Sequence, residues 1–472
     1  MIRTENRTAL ASLASVAVFA LALGACTTSS SSSSNSGAPG AGASPGRDAN
    51  GYVPSSRFFL PTGAEADNTS TPVVEVDPSG TLHAVYPAYA GGRAYYATCA
   101  ADCASEKDVK VVRFPTDGTV SNAMIALTPE GHPRVLLSGF QRVYFASCDA
   151  DCGNEASWTT GEIMNHGSDR EVTGEAFALD PQGRPRFVMH TYHALLGIGQ
   201  KEPATWYMTC DANCTAPASW KESRIANQMY RGSSLRIDAK GVAHLATVTP
   251  LGEDTSAPAA GAYLECASGC TTEADWKGIG FVPAYESQTD AVTVKATISM
   301  ALTKDGAPRV AMLGKNEAGK KGIYLFHCDA DCSKDNWTAS IVSDHEKVGA
   351  GLDLALDANG YTRLAYTLDY NIVLAHCDAA NCTAENAPWD LTKVEFGADL
   401  PKDDIFLWPN CDVGAWFLHS PSLALTSDGK PRVTYQARDI SGGWKNADRT
   451  KPDCKAGTDM SLSRLSLMSG VK

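Results

Sequence analysis

The same strand–turn–strand unit occurs seven times along this chain, and that self-similarity limits the fold more than any other feature. The copies read VVEVDPSGTLHAVY from Val73, MIALTPEGHPRVLL from Met124 and AFALDPQGRPRFVM from Ala176. They continue as SLRIDAKGVAHLAT from Ser234, SMALTKDGAPRVAM from Ser299, DLALDANGYTRLAY from Asp353 and SLALTSDGKPRVTY from Ser422. Each is a short apolar strand, a glycine turn carrying polar or acidic residues, and a second strand opening on a basic residue. Short apolar runs between Gly, Pro and Asp turns read as all-β.

The second half of each unit is a third strand ending in cysteine, a polar turn, a second cysteine, usually a tryptophan, and a fourth strand. Cys99 to Cys377 covers five periods in 278 residues, about 56 residues each. Four short strands repeated seven times predict a seven-bladed β-propeller with four-stranded blades; an open solenoid is the other architecture such repeats allow. The chain ends favour the ring. The seventh unit stops after a third strand, Leu462–Met468, whereas Ser56–Leu60 precedes the first unit as an orphan fourth strand. Pairing these two would close the last blade and remove the open edges.

Fifteen cysteines are present. Twelve form close pairs: Cys99 with Cys103, Cys148 with Cys152, Cys210 with Cys214, Cys266 with Cys270, Cys328 with Cys332, and Cys377 with Cys382. Each pair is expected as a disulfide locking the turn between strands three and four. Cys411 and Cys454 remain in the seventh unit and are expected to pair with each other. Zinc is disfavoured, because the spacing is not C-x₂-C and no His partners follow. Calcium at Asp149, Asp151, Asp329 and Asp331 is disfavoured too, because other units carry Ala100 or Ala267 there. No metal and no cofactor is expected.

Cys26 stands apart. Arg3 and Arg7 precede an apolar run from Ala9 to Ala25, and the run ends Leu23-Gly24-Ala25-Cys26. This resembles a bacterial lipobox, which implies a signal peptide over 1–25 and a lipid on Cys26. Residues 27–50 are almost entirely Ser, Gly, Ala, Thr, Pro and Asn, a composition that makes a flexible tether. Domains are therefore expected at 1–25 (signal peptide), 26–50 (lipidated linker) and 51–472 (propeller). By resemblance to lipoprotein sorting rules, Thr27 implies the outer membrane. The expected location is the cell envelope, with the membrane engaged through the lipid. A net charge of −13 argues against nucleic acid as a partner.

Asp77, Asp180, Asp238 and Asp357 end strand one, with Asp305 and Asp428 just beyond it in their turns; His83, Arg134, Arg186, His244, Arg309, Arg363 and Arg432 open strand two. A sevenfold constant suits turn support better than an active site, which needs asymmetry. The D-x-x-G-x-P-R pattern loosely resembles the repeats of sialidase-like (BNR-type) propellers. The S-x-D-x-G-x-x-W box of that family is absent in that form, as is its arginine triad with a Tyr and Glu pair. The resemblance implies fold and repeat geometry, not sialidase activity, and no catalytic residue is assigned.

In a propeller the one–two and three–four turns share one face, here the regular one. The longer, irregular loops share the other, and variable loops are where repeat folds carry function. The candidate binding residues on that loop face are Arg170, Glu171, His190, Tyr192, His193, Tyr230, Arg231, Tyr285, Glu286, His345, Asp369, Tyr370, Trp408, Trp416, His419 and Arg438. Aromatics mixed with charges suit a protein or carbohydrate partner. The expectation is a scaffold or adhesion-type binding lipoprotein, more a binder than an enzyme. The alternative is a glycan-acting hydrolase or lyase, which requires two carboxylates and an Arg or His in one pocket.

Overall fold

A computed structural model describes residues 52–63, 67–88, 92–192, 202–250, 259–284, 297–315, 320–345, 347–378, 382, 387–400, 416–439 and 460–470. The expected signal peptide, Cys26 and its linker, and the Cys411–Cys454 pair lie outside these residues. No helix among those described is long and apolar enough to cross a membrane.

The body is an all-β propeller of seven four-stranded antiparallel blades. The innermost strands are Val73–Val76, Val120–Leu127, Phe177–Leu179, Arg231–Ile237, Ile298–Leu302, Val348–Leu356 and Trp416–Leu425, for blades one to seven in order. Blade one then runs outward through Leu82–Pro87, Arg93–Cys99 and Lys110–Pro115, and the others follow its pattern.

The repeated turn holds itself through side chains. Asp77 Oδ1 accepts from the N–H groups of Ser79 and Thr81 at 2.8 and 2.9 Å. Asp180, Asp238 and Asp357 repeat this pattern. Where threonine replaces aspartate, its hydroxyl takes the second of these bonds, from Ala307 N–H to Thr303 Oγ1 at 3.0 Å for instance. All seven turns need their glycine, whose φ lies between 72° and 89°, a region closed to most side chains.

The strand-two arginines do a second task that the sequence did not suggest. Arg134 donates to Cys148 O at 3.1 Å and to Asp149 Oδ1 at 2.7 Å; Arg309 repeats this on Cys328 O and Asp329 at 3.1 and 2.7 Å. The aspartate after the first cysteine is thus an arginine partner, which accounts for it without calcium. The six expected cysteine pairs are disulfides with Cα atoms 5.7 or 5.8 Å apart.

The core lies between blades, and the repeated tryptophan is its mortar. Trp158 of blade two meets Tyr96 and Phe114 of blade one edge-on at 4.7 and 4.9 Å, and Trp337 of blade five meets Tyr263 and Phe281 of blade four at 4.9 and 5.0 Å. The indole N–H groups of Trp158, Trp220 and Trp337 each donate to the carbonyl of the second cysteine in their own turn, at 2.8–2.9 Å. The disulfide turn thereby sets the ring that fills the gap to the preceding blade.

The N-terminal strand closes the ring, as the chain ends suggested. Tyr52–Phe59 pairs antiparallel with Met460–Gly470, in a register from Tyr52↔Gly470 to Phe59↔Arg464. The strand begins earlier than expected, and Leu60 follows its end while still donating to Ser463 O at 2.9 Å. A buried cluster fastens this blade to blade six: Glu395 accepts from both Nε and Nη2 of Arg464 and from the Tyr435 hydroxyl.

Candidate functional site

The first residues of the seven repeat copies form one layer across the central channel. Blades four to seven place Ser234, Ser299, Asp353 and Ser422 there, all buried. Each accepts an N–H from the inner strand of the following blade. Met300 N–H donates to Ser234 Oγ at 3.1 Å, Leu354 N–H to Ser299 Oγ at 3.1 Å, Leu423 N–H to Asp353 Oδ2 at 2.7 Å, and Val74 N–H to Ser422 Oγ at 3.3 Å. An inner strand is a sheet edge with free N–H groups, and these oxygens satisfy them.

Two residues further along, the strands line a chamber of about 560 Å³ that extends to the turn residues Pro78, Thr128 and Pro129. At this level five blades carry alanine: Ala126, Ala178, Ala301, Ala355 and Ala424. The other two carry Glu75 and Arg236. Alanine keeps the middle of the ring open, and the two charged residues break its symmetry.

Arg236 Nη2 bonds Glu175 Oε2 at 2.7 Å, and the same oxygen takes the hydroxyls of Ser234 and Ser299 at 3.0 and 3.1 Å. Glu175 reaches this place because Gly174–Glu175 runs parallel to Ser233–Ser234 of the next blade. A side chain at Gly174 would strike the Gly232 and Ser233 backbone at 2.5 Å. Ser299 Oγ also lies 3.1 Å from Asp353 Oδ1, so one hydroxyl proton serves two carboxylates. Glu75 has no side-chain hydrogen bond or ion pair among the described residues. Burial raises its carboxyl to about 7, with Arg236 opposing and Glu175 adding to the rise.

The loop-face candidates divide into three groups. Several are structural. His190 is buried, with Nε2 2.7 Å from Thr173 Oγ1 and Nδ1 2.9 Å from Thr191 O, and Glu171 beside it at 3.7 Å. Tyr230 and Trp416 lie in the core, Trp416 against Phe59, rather than on a rim. Arg170 lies 3.9 Å over the Trp206 ring and bonds both oxygens of Glu222 at 2.5 and 3.0 Å, which ties the entry loop to the outer strand. Arg231 is half-buried at the start of its inner strand.

A second group is drawn together or exposed. His419 and Arg438 are neighbours on the two inner strands of blade seven, and burial together with the Arg438 charge holds the imidazole down at about 4. His345 is exposed, accepting from Lys347 N–H at 3.1 Å, while Lys347 Nζ reaches Asp369 Oδ2 at 2.8 Å. Asp369 and Tyr370 form a two-residue hairpin turn with φ of 50° and 60°. Tyr370 is 55 % exposed and Phe140, in the equivalent turn of blade two, is 50 % exposed; they are the exposed large apolar side chains among the described residues. Each ring is braced edge-on by the following blade, Phe140 by Tyr192 at 5.1 Å and Tyr370 by Phe417 at 4.7 Å.

The third group, His193, Tyr285, Glu286 and Trp408, lies outside the described residues. Sequence reading missed Glu75, Glu175, Arg236, Asp353 and Phe140. Aligning the seven inner strands exposes Glu75 and Arg236 as departures from alanine. Phe140 is an apolar residue in a tight turn, where polar residues are the rule. Among the described residues no three His, Cys, Asp or Glu side chains are arranged to hold a metal.

No protein-family model matches the sequence, and no curated protein sequence matches it. Solved structures resemble the fold at low identity. A polysaccharide lyase, Uly1, is 8 % identical at TM-score 0.46, covering 88 % of this chain and 92 % of its own. An α-L-arabinanase of Penicillium chrysogenum complexed with arabinobiose is 11 % identical at TM-score 0.43, covering 72 % and 97 %. A protein of unknown function from Dyadobacter fermentans is 10 % identical at TM-score 0.43, covering 89 % and 99 %. Likenesses this distant carry no activity over to this chain.

Proposed function

We propose that this protein is a lipid-anchored binding module of the bacterial envelope that holds a carbohydrate through its loop face. The observation that supports this is the pair of braced, exposed rings, Phe140 and Tyr370. A protein-binding face needs a contiguous apolar centre. A sugar needs single aromatic platforms beside hydrogen-bonding groups, and here Asp369, bonded to Lys347, shares the hairpin turn with one platform, Tyr370. The reading places Cys26 as the lipid attachment, residues 27–50 as the tether and the outer membrane as the anchor.

The test is equilibrium binding of the full-length protein to purified envelope polysaccharides, with envelope proteins in parallel. Replacing both rings, F140A with Y370A, is expected to weaken polysaccharide binding at least about tenfold, consistent with ~1–3 kcal/mol per lost aromatic contact. Unchanged polysaccharide binding by this variant, or binding to proteins alone, would sink the reading.

A catalytic reading has one observation in its favour, the gathering of Glu75, Glu175, Asp353 and Arg236 in one chamber. The hydrogen bonds already made by Glu175 and Asp353 suit a fixed binding wall better than a proton-transferring pair. Absence of turnover on uronides and arylglycosides is the expected result.

A further inference from the structure

The turn-face chamber is separate from the loop-face rings and calls for its own account. Its volume of about 560 Å³ falls in the range of small-molecule sites, roughly 300–1,000 Å³. Its wall of small side chains, Ala126, Ala178, Ala355 and Ala424, leaves room for a ligand beside Glu75 and Arg236. Its charge is unbalanced: Glu75, Glu175 and Asp353 face a single guanidinium, Arg236, and Ser299 shares one proton between two of the three carboxylates.

Glu75 completes the asymmetry. It stands on blade one, across the ring from Arg236 on blade four, and makes no side-chain bond among the described residues. The groups around it are Arg236 and Glu175 in the channel, His83 opposite it on the neighbouring strand, and Asp77 two residues on. Of the strands packed on its own, Leu82–Pro87 also has Tyr86, Val120–Leu127 has no titratable residue, Trp416–Leu425 has His419, and Pro431–Asp439 has Arg432, Tyr435, Arg438 and Asp439.

From this geometry we infer that the chamber is a binding site for a small organic cation, with a primary ammonium or guanidinium group placed against Glu75. The cation supplies a direct counter-charge, where Arg236 acts on Glu75 only through space, and the alanine wall takes the attached carbon chain. A half-buried carboxylate with no hydrogen bond, set among other carboxylates, resists ionisation, which agrees with its being held near 7; binding a cation then expels its proton.

Isothermal titration of the full-length protein with putrescine and with methylguanidinium tests this, with acetate and 1,4-butanediol as anionic and neutral controls. Cation affinity should rise about tenfold between pH 6 and pH 8, as the ionised fraction of Glu75 grows from roughly 0.1 to 0.9 around its midpoint. Binding at pH 6.5 should release protons, read as heat that varies with the buffer. E75Q should bind at least about tenfold more weakly and lose the pH dependence. F140A with Y370A should bind the cations normally, which separates this site from the loop-face reading. The inference is overturned by no binding of either cation at pH 8, by equal binding in E75Q, by preference for acetate, or by a pH-independent wild-type affinity. The last of these needs no variant, so it stands even where E75Q folds poorly.

Discussion

Tyr370 points its ring edge-on at Phe417, 4.7 Å between centroids, from a backbone held at φ 60°. Bulky residues avoid that region, at a cost of about 1 kcal/mol or more, and glycine or asparagine is the usual occupant of such a turn. A tyrosine kept there against this preference is what a contact residue looks like. Y370G is expected to leave stability within about 1 kcal/mol of wild type, because relief of strain offsets the lost ring contact. Polysaccharide binding should fall in the same variant. Thermal melting beside a binding isotherm checks both, and a stability loss well beyond this would mark the ring as structural.

Glu395 and Arg464 form a buried pair between blades six and seven, joined by Tyr435 and approached by Arg57 at 3.5 Å. Removing one member leaves an uncompensated buried charge. E395A should therefore cost about 3–5 kcal/mol in urea unfolding. A loss below about 1 kcal/mol would show that blade seven is fastened by its apolar contacts alone.

The closing strand predicts a different failure. Deleting residues 52–59 strips Phe58 and Phe59 from the core, at roughly 1.5–3 kcal/mol each, and exposes the Met460–Gly470 edge. The truncated protein should melt lower and self-associate in light scattering. An unchanged melt and a monomeric profile would contradict strand closure.

Stability should depend on pH through two imidazoles and one carboxyl, which act with opposite sign. The imidazoles of His166 and His419 are each held at about 4, chiefly by burial, with Arg170 and Arg438 respectively adding to the effect. The unfolded chain takes up these protons first, near the ordinary value of about 6.5, so stability falls as pH drops from there toward 4. Glu75 is raised to about 7, so its favourable contribution is complete below about 4.5 and is lost as pH rises through 7. H419Q should flatten the acid limb of a melting-temperature profile, and E75Q the alkaline limb. A profile unchanged by either substitution would contradict the burial of those groups.

The fold was legible because seven copies make every local signal redundant. The glycine turns, the cysteine spacing and the orphan strand at the N-terminus each pointed to the same ring. Site residues carry no such redundancy. His190, Tyr230 and Trp416 sit in irregular segments, where composition cannot tell a rim residue from one folded back into the core. Glu75 and Arg236 were hidden for the opposite reason: they lie inside the regular repeat, and only comparison of the seven copies at one position reveals them.

Hydroxyl-radical footprinting of the full-length protein, free and saturated with the polysaccharide it binds, tests the loop-face account most directly. Phe140, Tyr192, Tyr370 and Phe417 are expected to be protected, with Pro78 and Pro129 on the turn face unchanged. Protection confined to the turn face, with Phe140 and Tyr370 oxidised as in the free protein, would contradict it.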